Sequence, residues 1–210
     1  MRVGRLWLQV AVHGGALAPL ALLIGDYWRD QLTVNPIQAI TWRTGKWALV
    51  LLILALACTP ISTLFGYKGA LRLRRPLGLY AFLYASLHFL TFVGLDYGFD
   101  VALLREAILE KRYALAGLAA YLSLLPLALT STRGWQRRLG KGWKRLHRLA
   151  YLAALLAVVH FIWLVKSDIR EPLRYGAVVL ALLILRVPAL RRAIGRWRAS
   201  RNRRPPGSLV

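Results

Sequence analysis

The chain has 210 residues, 58% of them hydrophobic, and 30 Lys+Arg against 8 Asp+Glu give a formal net charge of +22. At 23.7 kDa and a mean hydropathy of +0.48, a soluble protein has too little interior to hide that much apolar side chain. The basic excess sits between long apolar runs, which excludes an ordinary nucleic-acid binder and points to a multi-spanning membrane protein with cationic loops.

Six stretches are long and apolar enough to cross a bilayer: 6–25, 47–65, 77–95, 113–130, 149–165 and 173–187. The first follows Arg2 and Arg5 but shows no small-x-small cleavage site before Asp26, so it reads as a retained span. The polar stretch 35–44 ahead of the second span reads as a docking surface or a re-entrant cap. The single cysteine, Cys58, lies in an apolar run, which rules out an intrachain disulfide and supports no cysteine-based metal site. The last stretch carries Arg174 and Arg186 near its ends, where long cationic side chains reach the interface.

The connections sort by charge. Segment 66–76 carries Lys68, Arg72, Arg74 and Arg75 and no acid; segment 131–148 is equally free of acids and includes Arg133, Arg137, Arg138, Lys141, Lys144, Arg145 and Arg148. The tail 188–210 repeats the pattern. All eight acids fall in the other three connections. Positively charged loops stay cytoplasmic. The expected fold is therefore an all-α integral membrane protein, a bundle of six transmembrane helices with both termini cytoplasmic. It forms one domain over 1–210 and ends in a basic cytoplasmic tail that meets anionic lipid. No internal repeat, finger or helix-turn-helix pattern is apparent, and nucleic acid is not an expected partner.

Ionisable residues inside spans tend to mark function. His88 is the twelfth residue of the third predicted span and His160 the twelfth of the fifth. Both spans run outward, so both imidazoles lie roughly 17 Å from the cytoplasmic end. Two neutral imidazoles at one depth can grip a single iron from opposite sides, and haem iron accepts axial nitrogen of this kind. Tyr84, Phe89 and Phe92 near His88, with Phe161 and Trp163 near His160, suit a macrocycle, although aromatic stripes at helical spacing are more often plain packing. For one such histidine the plain alternative is a ring hydrogen-bonded to a carbonyl or a neighbouring helix. His147 precedes His160 by 13 residues, roughly 20 Å along a helix, a spacing suited to a second, inner haem. Thirteen steps of about 100° put the two rings on nearly opposite faces, so an inner ligand there needs a helix distortion or a haem approached from another side; the plain alternative is a solvated interfacial histidine in a basic loop. His13, beside Gly14 and Gly15 in the first span, is a candidate partner for His147.

The blocks NPIQAITWRTGKWAL (35–49), RRPLGLYAFLYASLH (74–88) and LALTSTRGWQRRLGKGWKRLHRLAYL (127–152), leading to VVHFIW (158–163), carry a family likeness. The chain resembles the haem-binding membrane subunits of periplasmic methionine sulfoxide reductase systems, within the wider ferric-reductase and NADPH-oxidase transmembrane superfamily. The resemblance runs over nearly the whole chain. It implies a bacterial inner-membrane protein with b-type haem, one or two per chain, and a flavin, FMN. It implies electron delivery to a soluble periplasmic molybdenum-cofactor subunit that reduces methionine sulfoxide in proteins. The implied electron source is either the quinone pool or a cytosolic flavin reductase. Haem ligation carries over to His88 and His160 first, then to His147. The oxidase branch has two histidines on each of spans three and five; here Arg74 stands where the second span-three histidine would be, and His13 is the histidine left for an inner site.

Neither a G-x-G-x-x-G after a strand nor a nucleophile–base constellation is present, so the chain reads as a conduit dependent on others for both ends of the reaction. Arg137 and Arg138, with Lys141 and Lys144, suit haem propionate, flavin phosphate or a reductase surface, or simply mark the cytoplasmic side. The rival from another class is a small proton-coupled transporter or channel whose intramembrane histidines relay protons, with Pro19, Pro60 and Pro126 supplying helix breaks. A cofactor-free scaffold subunit is a third reading, which the matched histidine depths oppose.

Overall fold

A computed structural model describes residues 2–165, 168–187, 190 and 192. The basic tail 188–210 thus lies outside the described residues apart from positions 190 and 192. Those residues form nine α-helices and one π-helical segment: α1 (Arg2–Trp28), α2 (Pro36–Phe65), α3 (Ala70–Leu90) running into the π-helix Thr91–Asp96, α4 (Val101–Glu110), α5 (Arg112–Leu129), α6 (Arg133–Leu139), α7 (Lys141–Leu146), α8 (Leu149–Leu164) and α9 (Arg170–Ile184). Five helical stretches are long and apolar enough to span a bilayer: Trp7–Trp28, Pro36–Phe65, Ala70–Asp96, Arg112–Leu129 and Lys141–Leu164. The sixth expected span appears as α9, whose 15 residues reach about 22 Å and fall short of a hydrocarbon core of about 30 Å.

The second span begins earlier than hydropathy suggests. Asn35 caps α2 by accepting a hydrogen bond from the Gln38 amide at 3.0 Å, and Pro36 occupies the first turn, where its missing N–H leaves no gap. The polar stretch 35–44 is therefore the cap and opening turns of α2 and not a re-entrant cap. Its polar side chains are absorbed locally: the Thr41 and Thr44 hydroxyls donate to the Ile37 and Ile40 carbonyls, Arg43 pairs with Asp26 of α1, and Lys46 pairs with Glu171 of α9 at 2.6 Å. These ion pairs place the C-terminal end of α1 and the N-terminal ends of α2 and α9 at one end of the bundle. The acid-bearing connection between the third and fourth predicted spans holds α4, which Asp100 caps through the Ala102 and Leu103 amides.

Two antiparallel helix pairs make the body: α2 with α3, and α5 with α8. Contacts of α3 with α5 and of α2 with α8 join the pairs, α9 covers α8 and α2, and α1 rests on α3 and α2. Small residues let the backbones close up, since Ala81, Ala153 and Ala154 have no exposed surface. Tyr84, also fully buried, donates its hydroxyl to the Ala16 carbonyl at 2.8 Å and ties α3 to α1. Many large apolar side chains stand exposed, including Leu22, Leu54, Leu122 and Leu180, as a lipid-facing surface requires.

Arg186 does not reach outward to the interface as expected. Its guanidinium turns into the bundle, donating to the Tyr151 hydroxyl at 2.6 Å and to the Leu56 carbonyl, and it lies over the Tyr151 ring. Helical geometry explains the target. The carbonyl of residue 56 would pair with the amide of residue 60, and Pro60 has none. In a medium without water such a carbonyl needs a donor from elsewhere. Arg186→Met is expected to destabilise the folded protein by about 1–3 kcal/mol, the cost of leaving buried polar partners unpaired. In a Pro60→Ala background, where an amide again serves Leu56, the loss should shrink; equal losses in detergent unfolding of both backgrounds would show that the carbonyl contact contributes nothing.

Candidate cofactor site

The two histidines singled out from their depth meet. His88 on α3 and His160 on α8 have ring centroids 6.0 Å apart with planes crossed at 82°. A ring centroid lies about 1 Å behind its nitrogen, and metal–imidazole bonds are about 2 Å, so two rings clamping one ion stand about 6 Å apart. The separation fits a shared metal.

Each ring is aimed by the partner helix of its own pair. The His88 Nδ1 donates to the Thr41 carbonyl on α2 at 2.9 Å, and the His160 Nδ1 donates to the Tyr113 carbonyl on α5 at 2.7 Å. A carbonyl oxygen only accepts, so the ring proton resides on Nδ1 and the Nε2 lone pair is left for a ligand. Metal-binding histidines are typically held by this second hydrogen bond. Glycine makes the approach possible. A Cβ on Gly45 would stand 2.9 Å from the His88 Nδ1, and one on Gly117 would stand 2.7 Å from the His160 Nδ1.

The two halves of this arrangement repeat. From Thr41 to Tyr113, from Gly45 to Gly117 and from His88 to His160 is each a step of 72 residues, and each histidine follows its carbonyl partner by 47. The same step relates the fully buried Ala81 and Ala153, and Phe89 and Phe161. The internal repeat that sequence inspection missed is thus a pair of similarly directed helical hairpins, each supplying one imidazole. Directly after His88 the chain enters its π-helical segment, with the buried Thr91 hydroxyl donating to the Leu87 carbonyl at 2.8 Å. Such segments are frequent at functional sites.

The expected aromatic walls are arranged differently. Tyr84 faces α1, Phe89 stacks on Tyr121 of α5 at 4.7 Å, Phe92 packs on Tyr97, and Trp163 is exposed. Phe161 lies between Trp42 and Tyr175. The ring against His160 is Tyr113, at 6.1 Å.

His147 caps α7 at the turn that separates it from α8. Its ring lies 3.9 Å from Trp143, and its Nε2 lies 3.4 Å from the Thr130 hydroxyl at the end of α5. The step of 72 residues sets His147 opposite Arg75, one residue on from the Arg74 expected there, so the inner end lacks the histidine symmetry of the outer pair. His13 is exposed on α1, with Nδ1 2.8 Å from the Tyr80 hydroxyl. Among the described residues no ring contact joins His13 to His147. Arg137 and Arg138 are exposed on α6, where Arg138 covers the Trp135 ring. No group of three or more His, Cys, Asp or Glu suited to a metal ion occurs among the described residues, which leaves the imidazole pair as the arrangement to explain.

Comparison with known proteins gives this pair a context. The family model described as the ferric reductase like transmembrane component matches residues 44–158, a range that holds Gly45, His88, Gly117 and His147 and stops two residues before His160. The protein-methionine-sulfoxide reductase heme-binding subunit MsrQ of Xanthomonas axonopodis pv. citri is 47% identical over 205 residues, covering 94% of this chain and 93% of its own. The protein of the same name from Rhodospirillum rubrum is 45% identical over 193 residues, with 91% of each chain covered. No solved structure shows a significant match. Identity of this extent over nearly all of both chains, with apolar helices able to span a bilayer, makes this a multi-pass membrane protein that belongs to the ferric reductase like transmembrane family, among the MsrQ-type subunits.

Proposed function

We propose that this chain carries electrons across a bacterial inner membrane through b-type haem held between His88 and His160, and delivers them to a periplasmic molybdenum-cofactor subunit that reduces methionine sulfoxide in proteins. The single observation carrying the proposal is the imidazole pair at 6.0 Å with both Nδ1 atoms committed to backbone carbonyls. Bound haem supplies reversible one-electron chemistry at its iron. The protein supplies the rest. The α2 and α5 carbonyls hold the rings in one tautomer, the glycines admit them, and the helix pairs fix their separation. The names of the similar proteins support both the haem and the reductase partner.

The sidedness follows from charge. We place six spans in the membrane, α9 being the last and shortest, with both termini cytoplasmic beside the basic connections. The imidazole pair then lies nearer the periplasmic side, where the partner docks. His147, with Trp143 and Thr130, offers an inner stepping point, and His13 a further inner candidate. The exposed Arg137 and Arg138 offer a phosphate or propionate contact, including that of FMN. The electron source is the quinone pool or a cytosolic flavin reductase. A proton-coupled transporter would have its histidines hydrated and titrating; here both rings are locked onto backbone.

Purified from haem-replete cells, the protein is expected to be coloured, and His88→Ala or His160→Ala should each remove most of the bound haem in a pyridine-haem assay. A colourless wild-type preparation, or variants that keep their haem, would overturn the proposal. Reporter fusions test the topology separately: alkaline phosphatase joined after position 98 is expected to be active, and the same enzyme joined at position 210 inactive.

A further inference from the structure

Glycine is a poor helix former, yet Gly45 and Gly117 sit inside α2 and α5. Each lies four residues after the carbonyl that orients a histidine, on the same helix face. A Cβ at Gly45 would meet the His88 ring at 2.9 Å (Nδ1) and 3.0 Å (Cε1); at Gly117 it would meet the His160 ring at 2.7 Å (Nδ1) and 2.9 Å (Cε1). Real Cβ contacts at such distances do not occur, so any side chain here would displace the ring. The atoms met first are those nearest the hydrogen bond. The ring would slide off its carbonyl or turn about its own axis.

We propose that Gly45 and Gly117 are positioning residues that tune the redox potential of the site, by letting each imidazole lie against the helix and donate its Nδ1 proton to the carbonyl one turn earlier. The inference rests on the haem reading above. Donation from Nδ1 makes the imidazole a more basic ligand. A more basic ligand favours the oxidised metal, so lengthening the bond should raise the midpoint potential. Ring orientation gives a second readout. With planes near perpendicular, at 82°, the two rings would donate π density to different orbitals of a bound iron and keep those orbitals close in energy. The expected ferric EPR signal is low-spin and highly anisotropic, and it loses anisotropy when either ring turns.

The test uses the full-length protein in detergent, with Gly45→Ala, Gly117→Ala and, as a control, Gly78→Ala, where a Cβ meets nothing within 4 Å. Redox titration should show a positive shift for both site variants, larger for Gly117→Ala, where the contact is tighter, with altered EPR anisotropy and no shift in the control. Wild-type potential and spectrum in both site variants would overturn the inference while leaving the haem reading intact; a haem-free wild type would instead overturn the reading beneath it. Should the alanine variants not accumulate or not retain haem, His160→Gly reconstituted with imidazole or with 1-methylimidazole tests the same contact. The first ligand has a proton to donate to the Tyr113 carbonyl and the second does not. A lower potential with imidazole supports the inference, and equal potentials overturn it.

Discussion

Two hydrogen bonds organise this molecule: the Nδ1 protons of His88 and His160 resting on the carbonyls of Thr41 and Tyr113. An imidazole free to rotate would present either nitrogen, protonated or not, in any direction. Bound to a helix backbone it presents one lone pair in one direction. For the rings to reach those carbonyls, α3 must pack tightly on α2 and α8 on α5, and these are the most extensively packed helix pairs among the described residues. The two pairs then meet along α3 and α5, where the His88 and His160 rings come to 6.0 Å. The buried alanines at the interfaces serve that approach.

The two-fold repeat changes how the transporter reading is weighed. Parallel repeats are a known feature of transporter architecture, so the repeat removes one argument made against that class from sequence. What opposes it is where the repeat converges. Its related positions meet at a pair of imidazoles already bonded to backbone, with spacing that fits one shared metal. A solute pathway needs side chains that exchange partners with water or substrate, and these two have no such freedom.

Much of the framework was legible in the sequence because lipid imposes a crude rule. Apolar length located two of the five long spans, Trp7–Trp28 and Arg112–Leu129, to within a few residues at both ends, and α8 began where expected, at Leu149. The equal depth of His88 and His160 was legible too, since rise per residue is constant along a helix. The start of α2 was not, because its opening turns are polar and their neutralisation by Asp26, Glu171 and local carbonyls depends on tertiary neighbours. Thr41 and Tyr113 were invisible for a different reason. They act through backbone oxygen, which every residue has, and only the glycines at 45 and 117 mark the spot. The repeat was obscured because most equivalent positions in the two hairpins are different apolar residues, which a lipid-facing helix accepts interchangeably.

Dividing the ligands between two hairpins bears on biogenesis. The first hairpin alone holds one imidazole, too little to grip a metal from both sides, so on the proposed reading capture of the prosthetic group would wait until the second hairpin has been inserted and docked. On the proposed reading the iron is then a staple across the α3–α5 seam, stabilising the assembled state by the binding free energy it would not find in either half. Colour in such a protein would certify complete assembly, and haem shortage would leave the two halves joined by helix packing, the Lys46–Glu171 pair and the Arg186 contact to the Leu56 carbonyl.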